Sequence, residues 1–198
     1  MKSNYPGEII KVRDLKFNDN HFKVNFLFPT PLYNGKLSLP QDKINFLIEK
    51  LYSISKHDGR HLSNYGAWQS TDLIQNKDFG FILDAIGECI NNIFKDKNFS
   101  IIDLWGNITP RSGYNRIHNH MNGTSSNHFA GVLYLKLPPH YHGTIGFCNP
   151  SDPNSTLIVP VEEKELLLFP SSIFHFVDPN LIDQDRISLA FNVLFDTN

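Results

Sequence analysis

The spacing of apolar residues changes once along the chain. Up to about residue 99 apolar positions recur at intervals of three and four, and beyond it they alternate or gather in short runs. In LPQDKINFLIEKLYSI, residues 39–54, the side chains Ile44, Leu47, Ile48, Leu51 and Ile54 fall on one stripe of a helix. In DFGFILDAIGECINNIFKDK, residues 78–97, Ile82, Ala85, Ile86, Cys89, Ile90 and Ile93 do the same, with Asp78 where an N-cap belongs. Both helices are amphipathic, so each needs a surface to cover.

The second half reads as eight strands separated by Gly, Pro, Asn and Asp. They are SIIDLWGNI (100–108), NRIHNH (115–120), FAGVLYLKL (129–137), GTIGFCN (143–149), TLIVPV (156–161), ELLLFPS (165–171), HFVDP (175–179) and RISLAFNVLF (186–195). Short strands at even spacing predict a sandwich or jelly-roll barrel, with the helices buttressing one sheet from outside. The expected organisation is one domain over 1–198: strands and buttressing helices in 1–99, then a β core over 100–195. On the last strand Ile187, Leu189, Phe191 and Val193 share a face that can pack under helices. The other face, Arg186, Ser188, Ala190 and Asn192, meets either solvent or a polar barrel interior; taken alone, the strand reads as half exposed to water.

Composition narrows the class of function. With 18 basic and 20 acidic residues, a net charge of −2 and no basic run, neither nucleic acid nor an anionic membrane is expected as the main partner. Two cysteines, Cys89 and Cys148, exclude a disulfide framework and fit a reducing, cytoplasmic setting. No apolar run has the length of a signal peptide or a membrane span, so a soluble intracellular protein is expected.

Within YNRIHNHMNG, residues 114–123, His118 and His120 are one residue apart and share a face if the segment is a strand. Such a pair either grips a metal or faces water. His175 follows after 54 intervening residues, and Arg186 with Ser188 after 10 more. Three ligands on one side of a metal leave positions open for cosubstrate and oxygen. Arg186 and Ser188 on one strand can take a carboxylate through a guanidinium fork and a hydroxyl. Trp105 and Asn107 share a face of the first core strand, where they line a pocket, Asn107 as a candidate cofactor contact, or simply pack. His128 follows the pair closely and is read as a substrate contact, a substitute ligand or, more simply, a solvent-facing group; His21, His57, His61, His140 and His142 read as surface residues.

The order His-x-(acid or variant), His, Arg-x-Ser resembles the 2-oxoglutarate- and Fe(II)-dependent oxygenase superfamily, whose core is a double-stranded β-helix of the jelly-roll or cupin-like kind. More narrowly, FLFPTPLY (26–33), LWGNI (104–108), YNRIHNH, GVLYLKLP (131–138), GFCNP (146–150), LLLFPSSIFHFVDPN (166–180) and RISLAFNV (186–193) resemble an oxygenase group of bacteria and phages. The resemblance implies His118, His120 and His175 as iron ligands, Arg186 as the partner of the distal carboxylate of 2-oxoglutarate, and Ser188 as its support. Tyr134 reaches that carboxylate or fills the barrel. His120 departs from the superfamily, which mostly has an acid there, and three imidazoles that must be unprotonated imply iron binding lost as pH falls near 6.5.

The function expected is therefore a dioxygenase that hydroxylates an unidentified small-molecule or peptidyl substrate with O2, releasing succinate and CO2; homo-oligomer formation is left open. Two other readings stand beside it. One is a three-His cupin-type dioxygenase without 2-oxoglutarate, which has no need of Arg186 and Ser188. The other is a non-catalytic jelly-roll module.

Overall fold

A computed structural model describes residues 13–17, 20–24, 30–95, 97–121, 128–139 and 143–196. The chain divides into two compact units, residues 1–31 and 32–198. In the first, β1 (Arg13–Phe17) and β2 (Asn20–Val24) pair antiparallel, Arg13 opposite Val24. The second contains everything else. Residues 26–29 of FLFPTPLY lie outside the described residues, as do His140, His142 and 122–127.

All eight core strands form close to their expected bounds. They are β6 (Phe99–Thr109), β7 (Tyr114–His118), β8 (His128–Lys136), β9 (Thr144–Asn149), β10 (Asp152–Pro160), β11 (Glu165–Pro170), β12 (His175–Val177) and β13 (Arg186–Phe195). Three shorter strands precede them: β3 (Tyr33–Lys36), β4 (Asn64–Tyr65) and β5 (Trp68–Gln69). They assemble into a six-stranded sheet, β3-β11-β8-β13-β6-β5, and a five-stranded sheet, β10-β9-β12-β7-β4, with every pairing antiparallel. Two facing antiparallel sheets of this kind bear out the jelly-roll expected from the strand pattern and the double-stranded β-helix that the resemblance implies.

The segment Asn64–Gln69 joins the two sheets at one side, because β4 pairs with β7 in one sheet and β5 with β6 in the other. Its sharp reversal requires a left-handed residue, and Gly66 supplies it at φ 61°. Residues 57–70, which read as a loop, thus carry two short strands.

The helices α1 (Gln41–Ile54) and α2 (Gly80–Ile93) cover the six-stranded sheet. Ile44, Leu47 and Leu51 of α1 and Ile82, Ile86 and Ile90 of α2 are buried in one core with Leu104, Leu133, Leu189, Phe191 and Val193. The apolar face of β13 therefore packs under the helices. Gly106 of β6 admits α1 closely: a Cβ there would overlap Leu51. A second cluster, including Ala130, Tyr134, Ile145, Phe147, Leu167 and Phe169, fills the space between the two sheets.

Two local expectations fail. Asp78 does not cap α2; Asn76 caps the preceding 3-10 turn by accepting from the Asp78 N–H at 3.1 Å, and Asp78 instead pairs with Lys50 at 2.9 Å. Ile93, at the frayed end of the α2 stripe, is 36% exposed. Cys89 and Cys148 are free thiols. Among the described residues no helix is long and apolar enough to cross a membrane.

Candidate metal and cosubstrate site

The second face of β13 looks into the space between the sheets, not into water. Arg186 is only 3% exposed and Ser188 only 8%, and both line a cavity between the sheets. The half-exposed reading of this strand is thereby corrected; the second sheet, invisible to single-strand periodicity, covers it. Antiparallel register sets Gln69, Asn107, Ser188 and Tyr134 side by side across β5, β6, β13 and β8, and all four line the cavity. Trp105, Ala190 and Val132 form the next row.

The three histidines meet in the same cavity. His118 ends β7 and pairs in register with His175 of β12. His120 lies beyond the strand, so strand alternation is not what turns it inward. Its N–H donates to Ser171 O at 2.9 Å, tying the departing chain to the turn before β12. One nitrogen from each ring lies within 4.8 Å of the other two. Aromatic rings wall the cluster: Phe169 meets His175 edge-on at 4.8 Å, and Trp105 lies 5.5 Å from His120.

Hydrogen bonds determine which nitrogens face inward. His118 Nδ1–H donates to Arg116 O at 2.7 Å, His175 Nδ1–H to Ile173 O at 3.2 Å and His120 Nδ1–H to Asn192 Oδ1 at 2.7 Å. Carbonyl oxygens only accept, so each Nδ1 carries the proton and each Nε2 keeps its lone pair. Three converging neutral Nε2 donors, each oriented by an outer hydrogen bond, form a set suited to a divalent transition metal.

Burial keeps the rings neutral. It pushes His120 down to about 4, against the opposing Asn192 bond and helped by His118, and His175 down to about 3, helped by repulsion from His118 and His120. His118 is lowered by burial as well, its bond to Arg116 O opposing. Protonation of the ligand set near pH 6.5, expected from free imidazole, is therefore displaced to more acidic pH.

His57 and His61 are exposed, as expected. His128 opens β8 opposite Leu194, and its side chain, like that of His21, lies outside what the structure describes. Sequence reasoning missed Asn192, Gln69, Ser63 and Asn115. Asn192 was legible only as part of the inward face of β13, and Gln69 needed the β5–β6 register.

Comparison with known proteins agrees with this geometry. A family model described as "Putative 2OG-Fe(II) oxygenase" matches residues 103–192, from β6 through most of β13. Over these residues the chain is similar to the 2-oxoglutarate- and Fe(II)-dependent oxygenases. Among solved structures, a Pseudomonas putida prolyl-4-hydroxylase is similar at TM-score 0.61 and 19% identity, covering 84% of this chain and 92% of its own. HygX from Streptomyces hygroscopicus, with nickel, 2-oxoglutarate and hygromycin B bound, aligns at TM-score 0.65 and 11% identity over 83% of each chain. The carbocyclase SnoK of nogalamycin biosynthesis aligns at 0.68 and 10%, covering 83% of this chain and 79% of its own. At these identities the structural likenesses establish the double-stranded β-helix fold. Comparison with curated protein sequences gives no significant match.

Proposed function

We propose that the cavity is the active site of an Fe(II)- and 2-oxoglutarate-dependent dioxygenase that hydroxylates an unidentified organic substrate. His118, His120 and His175 hold the metal. Arg186 takes the distal carboxylate of 2-oxoglutarate, with Ser188 and Tyr134 beside it. The observation that carries the reading is the convergence of three Nδ1-anchored imidazoles in a cavity that also contains a buried guanidinium.

The donor set and the anion site fit the two groups the superfamily uses. Three neutral nitrogens match Fe(II), though nickel or zinc binds such a set more tightly. The planar fork of Arg186 matches a carboxylate, and Lys would offer only a point charge. Arg186 opens β13, and Asn192, which orients His120, stands on the same inward face near the strand's other end. The guanidinium and the imidazoles thus enter one cavity from separate stations along it. Bound iron and 2-oxoglutarate supply the oxidation of a substrate C–H bond by O2, with succinate and CO2 released.

The chain itself orients and shelters. Phe169, Ile145, Val132 and Ala190 give the cavity apolar walls that limit water near the metal ligands. Asn192 holds His120, whose position is usually acidic in the superfamily, as a neutral ligand. Anaerobic reconstitution with Fe(II), followed by O2-dependent succinate formation from 2-oxoglutarate, tests the assignment. His175→Ala should lose stoichiometric iron, and Arg186→Lys should keep iron and lose 2-oxoglutarate. Full iron occupancy in His118→Ala and His175→Ala would overturn the metal site. Unaltered 2-oxoglutarate binding in Arg186→Lys would favour the cosubstrate-free alternative.

A further inference from the structure

One wall of the cavity is made of uncharged hydrogen-bonding side chains. Ser63, Gln69, Asn107 and Asn115 all line it, contributed by the sheet-bridging segment and by β6 and β7. They are already paired with each other: Gln69 Nε2 donates to Asn107 Oδ1 at 3.2 Å, and Asn115 Nδ2 to Ser63 Oγ at 3.2 Å. The main chain beneath them is fixed. Asn64 accepts from Leu62 N–H at 3.0 Å and donates to Ala67 O at 2.7 Å, Arg60 Nε donates to Ser70 O at 2.8 Å, and Ser70 N–H donates to Gly106 O at 2.9 Å. These groups are therefore preorganised and do not fold onto a ligand from solvent.

That pairing leaves one fully buried atom of the four side chains without a partner. Gln69 is only 3% exposed, and its Oε1 accepts no hydrogen bond among the described residues. A buried amide oxygen without a donor is unfavourable until one is supplied. Arg186 is the only formally charged side chain among the described residues lining the cavity, and the proposed function assigns it to 2-oxoglutarate. The carboxylate of Asp103, further along β6, lies 3.8 Å from the Arg60 guanidinium and so already faces a cation. Nothing described along this wall offers a counter-charge to a cationic substrate.

We infer that the part of the substrate presented to the site is an uncharged hydrogen-bonding group, a carboxamide or a hydroxyl, that donates to Gln69 Oε1, and not a cationic amine. This rests on the proposed function, because it takes Arg186 as occupied by the cosubstrate. A cation would meet Asn107 and Asn115 without a carboxylate to offset its desolvation. A carboxamide or diol can both donate to Gln69 and accept from neighbouring amides.

The test uses the Zn(II)-loaded protein with 2-oxoglutarate bound, ¹⁵N-labelled at Gln side chains, titrated with propionamide, propane-1,2-diol and propylammonium. Propionamide and the diol should shift the Gln69 Nε2 resonances, with propylammonium about tenfold weaker. Gln69→Leu should weaken propionamide by about tenfold, the scale of one lost hydrogen bond, while zinc and 2-oxoglutarate binding stay unchanged. Gln69→Glu, nearly isosteric, should reverse the order in favour of propylammonium. Equal binding of propylammonium and propionamide by the parent, or parent-like propionamide binding by Gln69→Leu, overturns the inference. So does a Gln69 signal that no probe moves, which would assign Oε1 to an ordered water. Failure of the parent to bind 2-oxoglutarate would instead sink the proposed function; the same titrations repeated without it still decide the role of Gln69.

Discussion

Replacing Asn192 by Leu removes the side chain that, among the described residues, orients His120, one of the three proposed metal ligands. His118 and His175 donate to the main-chain carbonyls of Arg116 and Ile173, which no substitution at those residues removes. His120 depends on Asn192 Oδ1, 72 residues away in sequence and 2.7 Å away in space. Leu keeps the branching of the Asn side chain, with greater bulk, but accepts nothing, so the His120 Nδ1–H loses its partner and the ring can turn or change tautomer. Loss of an outer hydrogen bond to a ligating His typically costs about 10–100-fold in metal affinity, or about 1.4–2.8 kcal/mol at 1.4 kcal/mol per tenfold. Anaerobic Fe(II) titration, repeated with Zn(II), should show that loss in Asn192→Leu and little change in Arg116→Ala. Thermal unfolding of the apo forms checks that the fold survives. Affinity within about twofold of the parent in Asn192→Leu would refute the claim that this bond fixes the third ligand.

Arg186→Lys should weaken 2-oxoglutarate binding by about 1.5–3 kcal/mol, read by calorimetry on the Zn(II) form, with metal affinity unchanged. The folded-state values of about 4 for His120 and about 3 for His175 lie below the unfolded value near 6.5, so the unfolded chain takes up protons first. Apo stability from these groups is fully present above pH 6.5 and is lost as pH falls through that value toward about 4 and 3, measurable as a declining urea midpoint that bound zinc should delay. By the same neutrality, metal affinity of the folded protein should hold to well below pH 6.5; a steep loss centred there would contradict the burial argument. Leu51→Ala removes a fully buried side chain from the α1–sheet contact and should cost about 2–5 kcal/mol in chemical denaturation, with iron stoichiometry retained.

The β core was legible because its strands, three to eleven residues long, carry alternation or apolar runs between strong turn signals, as in FAGVLYLKL and RISLAFNVLF. The two-residue strands β4 and β5 carry no period at all, and only their partners β7 and β6 define them. For the site, His118, His175 and Arg186 sit on strands whose facing can be read directly. His120 meets the other two histidines for a reason strand alternation does not contain: it leaves the strand, and its bonds to Ser171 and Asn192 bring it in. The inward face of β13 could not be told from a wet one until the second sheet covered it. Gln69 and Ser63 were hidden because their role arises from a crossing between sheets, which no local pattern encodes.

A sheet is one residue thick, and at β6 this leaves the cavity with little insulation from the helix behind it. Trp105 and Asn107 face the cavity, while Gly106 between them faces Leu51 of α1. A methyl group at Gly106 overlaps the Leu51 side chain, and whatever part of that overlap Leu51 does not relieve by repacking pushes the strand, with both neighbours, toward the cavity. Gly106→Ala is thus a lever on cavity depth operated from the dry side of the molecule. Leu51→Ala vacates the space that methyl group would take, so the double variant should recover much of what Gly106→Ala alone disturbs. The shape of this cavity is set in part by residues that do not line it.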